Sequence, residues 1–236
     1  MVKEMIGTER QREILEYMNK HETISVSEIC ERFYVSEATA RRDLTALENS
    51  GLVRRIFGGA TLVVGSDKQV PLFVREREDI QEKMRICKKA VSLIRDGNVL
   101  FIDGSSTAMF LVDELEKFKD LIVVTNGLKT AEKLGKLHIK VYSTGGLLME
   151  NSSVLVGADA ERFVENFNAD ICFLSCKGLS RDGKLTDTSQ SETGLRKKFL
   201  KNSKKKVMLL TKNKLDKTYI HTLCTTDDVD YIITDK

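Results

Sequence analysis

Short apolar runs that end in small, polar or glycine residues recur through the second half of this chain. Such runs are followed by Asp103-Gly104-Ser105-Ser106-Thr107, Thr125-Asn126-Gly127, Ser143-Thr144-Gly145-Gly146, Cys176-Lys177-Gly178 and Thr211-Lys212-Asn213-Lys214. Helical patterns separate the runs, and this alternation is typical of an α/β fold with a parallel sheet. Because the carboxyl ends of parallel strands meet at one edge, where such sheets bind ligands, the pattern predicts a binding site there.

The first of these loops has the chemistry of an anion site. It follows the apolar run 99–102 and opens a predicted helix that carries Met109, Leu111 and Leu115. Free backbone N–H groups and the positive end of the dipole at a helix start suit a phosphate or a carboxylate. The alternative is an ordinary strand-to-helix turn in which a serine only caps the helix. The small, polar and basic residues at the other strand ends favour ligand binding.

The first 64 residues show a different pattern, three short helices followed by a hairpin. Ser25 with Glu28 three residues later forms a capping box that begins the second helix, and Ser36 is a candidate cap for the third. Two strand-like runs, 52–57 and 60–64, flank Gly58-Gly59, which predicts a turn at the two glycines. This order of elements predicts a winged helix-turn-helix, with the helix-turn-helix at about 25–44.

The third helix separates into two faces. Its apolar positions, at helical spacing, are Ala40, Leu44 and Leu47. The opposite face carries Ala38, Arg41, Arg42 and Thr45, a small and basic surface that suits the major groove of DNA. Arg54 and Arg55 on the hairpin are placed to meet phosphates or the minor groove. The alternative is that these arginines are only solvated.

A change of composition marks the boundary between the two halves. Gly65-Ser66-Asp67-Lys68-Gln69 lies just before Pro71, the one proline of the chain. We therefore predict a DNA-binding domain over 8–63, a linker over 64–74 and an α/β domain over 75–236. Lys204-Lys205-Lys206 is predicted to be a solvated loop between a helix and a strand.

Several motifs of the first domain keep a characteristic spacing: Val35-Ser36-Glu37-Ala38-Thr39-Ala40-Arg41-Arg42-Asp43-Leu44, Leu47-Glu48, Gly51 and Arg55-x-x-Gly58-Gly59-Ala60. Through these motifs, residues 8–60 resemble the DNA-binding domain of the DeoR family of bacterial transcription regulators. Ala40 is a departure, since the family usually has Ile at this position. The predicted DNA-binding residues are Ser36, Glu37, Ala38, Thr39, Arg41, Arg42, Thr45, Arg54 and Arg55.

The second domain resembles the sensor domain of the same family through Asp103-Gly104-Ser105-x-Thr107, Thr125-Asn126, Gly145-Gly146, Gly157, Asp170, Gly178, Asp187, Glu192 and Lys214. The resemblance implies a fold similar to ribose-5-phosphate isomerase and a phosphorylated sugar as effector. It implies that 103–107 and Lys214 hold phosphate or sugar hydroxyls, and that Asp187 and Glu192 line the sugar end. The predicted effector-binding residues are Asp103, Gly104, Ser105, Ser106, Thr107, Thr125, Asn126, Gly145, Gly146, Lys177, Gly178, Asp187, Glu192 and Lys214.

Two segments of the second domain depart from the family pattern. Thr211-Lys212-Asn213-Lys214 stands where the family has Asp-x-Ser-Lys, and Glu192-Thr193 stands where Glu-Ala is usual. Without the aspartate the site is less acidic, which predicts tolerance of a more highly charged ligand such as a bisphosphate.

The function that these features predict is sequence-specific transcription regulation. We expect a repressor of genes for carbohydrate or related metabolism, with a double-stranded DNA operator and a phosphorylated sugar effector as partners. An isolated winged helix buries little DNA, so we expect a homo-oligomer, a dimer or a tetramer. One alternative is an orphan or protein-gated regulator whose sensor holds no ligand. Another is an enzyme resembling sugar-phosphate isomerases, in which Asp103, Asp187 or Glu192 is the base; no nucleophile–base constellation favours it, and we expect no enzyme.

Cysteine usage and charge set the remaining expectations. The chain carries five cysteines without a CxxC pair and a formal net charge of +3. We therefore expect a cytoplasmic protein with no metal site and no cofactor. The chain also has no apolar run long enough to cross a membrane. Cys172 and Cys176, four apart on a predicted strand, share a face, for which packing and redox sensing are the two explanations.

Overall fold

A computed structural model describes residues 7–49, 52–62, 72–149 and 152–235. The chain divides into two compact units, Met1–Val74 and Arg75–Lys236. Most of the predicted linker 64–74 lies outside the described residues, and its last three residues belong to a helix, with Val74 packed in the core of the first unit. The domain bounds 8–63 and 75–236 stay a prediction. Among the described residues no helix combines the length and the apolar character needed to cross a bilayer.

The first unit is built from three helices and a small antiparallel sheet. Its elements are α1 (Gly7–His21), β1 (Thr23–Ser25), α2 (Val26–Phe33), α3 (Glu37–Asn49), β2 (Val53–Ile56), β3 (Gly59–Leu62) and α4 (Leu72–Arg75). The strands follow the order β1-β3-β2. The predicted winged helix-turn-helix is confirmed, and β1 is an additional strand that the sequence patterns did not indicate.

Local signals account for the helix-turn-helix. The Ser25 side chain accepts a hydrogen bond from the amide of Glu28, whose carboxylate accepts one from the amide of Ser25 at 2.8 Å, so the predicted capping box is confirmed. Tyr34 then adopts a left-handed conformation that ends α2. Ser36 caps α3 by accepting from the amide of Thr39 at 3.3 Å.

The predicted hairpin turn is wrong by one residue. Phe57 and Gly58 form the turn, with Gly58 at φ +78°, and Gly59 is the first residue of β3. A Cβ on Gly59 would lie 2.2 Å from the carbonyl oxygen of Ile24. Gly59 is therefore needed for the close approach of β1, and not for a positive φ angle.

The second unit is centred on a parallel sheet, which confirms the predicted α/β class. Its strands are β4 (Val99–Ile102), β5 (Ile122–Thr125), β6 (Lys140–Ser143), β7 (Leu147–Met149), β8 (Val154–Val156), β9 (Ala169–Leu174), β10 (Gly178–Leu179), β11 (Lys184–Asp187), β12 (Ser203–Leu210), β13 (His221–Thr225) and β14 (Tyr231–Thr234). Six of them form a sheet in the order β14-β12-β9-β4-β5-β6, with every pair parallel. The chain thus runs to opposite sides of β4, which puts a switch point between β4 and β9.

Helices cover both faces of this sheet. They are α5 (Ile80–Ala90), α6 (Leu128–Lys136), α7 (Ala158–Val164) and α8 (Gln190–Lys201). Leu100 and Ile102 point to a core shared with α5, whereas Phe101, between them, points to a core shared with α8. A smaller antiparallel sheet, β10-β11-β13, lies beyond the end of β9 in sequence. Lys204-Lys205-Lys206 lies within β12, so the predicted loop there is wrong.

Candidate functional site

The outer face of α3 is the candidate DNA-binding surface. Ala40, Leu44 and Leu47 are buried, as predicted, in the core of the first unit. Most of the predicted DNA-binding residues of this segment are exposed, and Thr39 is half-buried; the exposed ones are Ser36, Glu37, Ala38, Arg41, Arg42 and Thr45. The two faces of the helix are therefore confirmed, and DNA contact by the outer face stays a prediction.

The two arginines of this face are not equivalent. Arg41 forms an ion pair with Glu37, one turn earlier, at 3.2 Å. Arg42 makes no hydrogen bond or ion pair with any residue that the structure describes. Its full charge is therefore available to a DNA phosphate or base, whereas Arg41 must share its charge with Glu37 or release it.

The hairpin arginines differ more strongly. Arg54 is exposed and has no hydrogen-bond partner within the described part of the chain. Arg55 is half-buried, and its guanidinium donates to the carbonyls of Gly59 at 3.2 Å and of Arg41 at 3.4 Å. Its amide donates to the Glu48 carboxylate at 2.8 Å. Arg55 therefore joins the hairpin to α3, and of the two residues Arg54 is better placed for phosphate.

Asp43 is a structural residue of the same motif that the sequence patterns did not single out. Its side chain is buried and accepts from Arg10 Nε at 2.5 Å and from Gln11 Nε2 at 3.0 Å. It thereby joins α1 to α3 and sets the position of the helix that carries Arg41 and Arg42. An acidic residue beside two arginines was the available signal.

The strand-end site in the second unit is organised around Asp103, directly after β4. Its Oδ1 accepts from the amide of Ser105 at 3.1 Å, and its Oδ2 accepts from the amide of Ser175 and from Arg196 Nε, at 3.1 and 2.8 Å. Every contact of this carboxylate is thus internal. Three of its four lone-pair sites are used in this way, so the geometry favours a positioning role over the predicted direct effector contact.

Arg196 is the residue of this site that sequence reasoning missed, because it looks like one more member of a basic run. It is 6% exposed and binds three carboxylates: Asp103, Asp187 at 2.9 Å and Glu192 at 2.8 Å. Burial alone would lower the pKa of Arg196, but the three carboxylates raise it. Asp187 and Glu192, predicted to line the sugar end, are therefore brought together with Asp103 through this guanidinium.

Lys214 reaches the same strand ends from the short 3₁₀ helix Lys212–Lys214. Its ammonium contacts Ser175 Oγ at 2.7 Å and Thr107 Oγ1 at 3.5 Å. Burial lowers the pKa of Lys214, and the charge of Arg75 lowers it further. The structure thus brings Lys214 next to the 103–107 loop, with Ser175 as an additional contact, and their binding of phosphate or sugar hydroxyls stays a prediction.

Two further cations lie close to these groups. Burial lowers the pKa of Arg75 and of Lys177; the carboxylates of Asp187 and Glu192 raise both, and the charge of Arg75 lowers that of Lys177. The Lys177 ammonium makes no hydrogen bond or ion pair with the described residues. The Thr188 hydroxyl, which follows Asp187 in sequence, is buried and has no hydrogen-bond partner among the residues that the structure describes. The site thus holds an ammonium, that of Lys177, and a hydroxyl that make no hydrogen bond with the described residues.

The 103–107 loop differs from the predicted helix start. The following segment is a 3₁₀ helix, Ala108–Glu114, so the dipole of a long α-helix is absent here. The amide of Gly104 donates to Asn126 Oδ1 and the amide of Ala108 to Ser105 Oγ. Among the described residues the amides of Ser106 and Thr107 have no acceptor. These two N–H groups, rather than a helix dipole, are what the loop offers to an anion.

The remaining predicted effector residues have structural contacts. Thr125 Oγ1 accepts from the amide of Gly127 at 3.1 Å. A Cβ on Gly146 would lie 2.5 Å from the Val156 carbonyl oxygen, and one on Gly178 would lie 2.4 Å from the Lys217 carbonyl oxygen. Gly145 precedes Gly146 with φ +65°. The glycines therefore shape the loops around the site.

The cysteines of this unit are packing residues. Cys172 and Cys176 are buried in the core that α8 covers, as the shared face of the strand predicts. Burial raises the pKa of both thiols to about 11. Protonated thiols are poor nucleophiles, which favours packing over redox sensing.

Family models match both units. A DeoR-like helix-turn-helix domain matches residues 10–64, and a DeoR C-terminal sensor domain matches residues 78–236. GolR of Listeria innocua serovar 6a, an HTH-type transcriptional regulator, is 36% identical over 232 residues, 98% of this chain and 91% of that protein. GlcR of Bacillus subtilis, an HTH-type transcriptional repressor, is 29% identical over 98% of this chain and 90% of that protein.

Solved structures are similar in fold. The eIF2B delta structure from Chaetomium thermophilum covers 98% of this chain and 72% of its own, with a TM-score of 0.52 and 13% identity. A D-ribose-5-phosphate isomerase covers 58% of this chain and 55% of its own, with a TM-score of 0.45 and 14% identity. The family follows from the sequence matches, which span both units. The chain belongs to the DeoR family and is a DNA-binding transcriptional regulator, not an enzyme.

Proposed function

We propose that this regulator represses genes of carbohydrate or related metabolism and that a phosphorylated sugar relieves the repression. The observation that carries the proposal is the pair of cations at the strand ends, Lys177 and Lys214, whose pKa values burial lowers, with the Lys214 ammonium 3.5 Å from Thr107 Oγ1. A phosphate dianion would compensate for their lost hydration and accept from the amides of Ser106 and Thr107. The relative GlcR is named a transcriptional repressor, which supports repression rather than activation.

The other end of the site suits the sugar. Asp187 and Glu192 each accept from Arg196, at 2.9 and 2.8 Å, and carboxylates are also the acceptors that sugar hydroxyls require. The unpartnered hydroxyl of Thr188 supplies a further donor or acceptor. Cations, carboxylates and a hydroxyl in one site are the groups that a sugar phosphate requires.

On the DNA side, we propose that the exposed face of α3 enters the major groove and that Arg54 meets the backbone. One winged helix covers few base pairs, so tight binding requires a dimer or a tetramer on repeated half-sites. Sedimentation of the full chain with and without an operator fragment measures this assembly.

The effector proposal is tested by calorimetry and thermal shift with inorganic phosphate and a panel of sugar mono- and bisphosphates. We expect a sugar phosphate to bind, its unphosphorylated sugar to bind far more weakly, and operator DNA to be released. Lys214→Ala should weaken binding more than Thr107→Ala, because it removes a full charge rather than a hydroxyl. Lys88→Ala, which removes an exposed charge from α5, is the matched control.

If no member of the panel gives heat, a thermal shift or a change in operator binding, the sensor proposal fails. A regulator gated by a protein partner then becomes the better account. Preference for a bisphosphate over a monophosphate would agree with Thr211, which replaces the aspartate that the family usually has at this position.

A further inference from the structure

Lys83 is a buried cation whose hydrogen bonds do not neutralise it. It lies in the first turn of α5 and is 4% exposed. Its ammonium donates to the carbonyl oxygens of Arg75 and of Glu78, the latter at 2.6 Å. The third N–H of the ammonium has no acceptor among the residues that the structure describes. The charge is thus solvated by two backbone carbonyls, with one donor unused.

A contact between two segments brings Lys83 to the strand-end site. Asp79, at φ +50° just before α5, accepts from Asn213 Nδ2 at 2.5 Å. Asn213 directly precedes Lys214 in the short 3₁₀ helix, and Lys83 follows Asp79 by one helical turn. The first turn of α5 and the segment that carries Lys214 are therefore held side by side.

The two ammonium groups interact electrostatically. Burial lowers the pKa of Lys83 to about 8; the positive charges of Lys214 and Arg75 also lower it, whereas Asp79 and Glu78 raise it. Lys83 thus has two cationic neighbours in the same region as the unused N–H. An anion beside Lys214 would attract the Lys83 ammonium and lessen this repulsion.

We propose that Lys83 is an additional anion-binding residue of the strand-end site and that binding the anion draws it away from the carbonyls of Arg75 and Glu78. The inference rests on the proposed effector function and adds a residue to that site. The carbonyls that Lys83 leaves belong to segment 75–79, which begins the second unit directly after Val74. The side chain that would bind the anion therefore also holds the segment that begins the second unit.

The test compares Lys83→Met with Lys88→Met in the full chain, using inorganic phosphate and the sugar phosphates that bind the wild type. Lys88 is exposed on the same helix, so its replacement removes the same charge without touching the site. We expect Lys83→Met to weaken phosphate binding by about tenfold or more, and Lys88→Met to change it by less than about twofold.

A second measurement uses the unmodified protein. Hydrogen exchange of the amides of residues 76–82 should become faster when phosphate binds, because the carbonyls on this segment lose the Lys83 ammonium. In Lys83→Met the exchange of this segment should already be fast and should not respond to phosphate. This measurement decides the question even if Lys83→Met does not fold.

The outcomes separate this inference from the function on which it rests. If the wild type binds no phosphate compound, both are overturned. If the wild type binds and Lys83→Met binds equally well, or if exchange over 76–82 is unchanged by binding, only the role of Lys83 is overturned.

Discussion

The two units of this regulator carry their cations in opposite environments. Arg41 and Arg42 on α3 are exposed, whereas Lys83 is buried and Lys177 and Lys214 are half-buried at the strand ends. An exposed charge keeps its hydration and attracts phosphates over about a Debye length, so its effect falls with salt. A buried charge loses hydration and requires an anion in direct contact. We therefore expect the same charge type to serve a long polyanion in one unit and a small ligand in the other.

The ion pairs of the two units show the same difference. Arg41 pairs with one exposed carboxylate, an arrangement that contributes little to stability. Arg196 binds three buried carboxylates, those of Asp103, Asp187 and Glu192. Removal of one side chain should therefore have very different consequences in the two places.

The largest expected effect is that of Arg196→Met. Without the guanidinium, three buried carboxylates repel one another in a region that excludes water. We expect the free energy of unfolding to fall by about 3–5 kcal/mol, measured by denaturant titration. Arg162→Met, which breaks an exposed pair with Asp159, should cost no more than about 0.5 kcal/mol. Equal losses in the two variants would contradict the difference drawn between buried and exposed pairs.

Asp43→Ala tests whether the DNA-binding unit also depends on a buried pair. Arg10 and Gln11 would lose their shared acceptor, and α1 its link to α3. We expect a loss of about 2–3 kcal/mol in the free energy of unfolding. Glu37→Ala is the control, since its carboxylate is exposed. A loss below about 1 kcal/mol for Asp43→Ala would show that the core apolar contacts alone set the position of α3.

Arg42→Ala and Arg55→Ala separate DNA contact from stability. Arg42→Ala should weaken specific DNA binding by about 1–3 kcal/mol and leave thermal unfolding unchanged, because its charge has no partner in the described structure. Arg55→Ala should lower the melting temperature, because it removes the contacts between the hairpin and α3. Binding isotherms at several salt concentrations show whether Arg42 meets bases or only phosphates. Unchanged operator affinity in a folded Arg42→Ala protein would contradict the assignment.

The smallest expected effect is a pH dependence that arises from Lys83. Its pKa is about 8 in the native protein and ordinarily near 10.5, so the unfolded chain binds more protons between these values. Stability should therefore rise with pH in this window, by about 1 kcal/mol between pH 8 and pH 9. Asp79, Glu78, Arg75 and Lys214 are the charged groups that influence Lys83. The rise should be absent in Lys83→Met, and its persistence there would assign it to another group.

Elements with local signals were predictable from the sequence. The capping box at Ser25 and the cap at Ser36 depend on residues three apart, and the apolar runs at the centre of the parallel sheet need no partner to be recognised. Strand β1 has only three residues and exists because it pairs with β3. Without knowledge of β1, the sequence gives no reason to place Gly59 in a strand. The hairpin turn is therefore predicted at Gly58-Gly59 instead of at Phe57 and Gly58.

The candidate site was predictable at the level of loops but not of partners. The strand ends were identified from their composition, whereas the contact between Arg196 and Asp103 joins residues 93 positions apart. Long-range pairs of this kind leave no periodic pattern. Lys83 was missed because a lysine in a helical pattern is expected to be exposed, and its bonds to the carbonyls of Arg75 and Glu78 leave no pattern in the side chains.

The buried thiols have a practical consequence for measurements on this regulator. Burial raises the pKa of Cys87 and Cys224 to about 12, as it does for Cys172 and Cys176 to about 11, so the sensor unit presents no thiolate at neutral pH. A maleimide dye should consequently react with a cysteine placed at exposed Ala38 long before it reaches these four. In a Cys30→Ser protein, a single fluorophore on the outer face of α3 would then report operator binding and release. No cysteine of the sensor unit would have to be replaced.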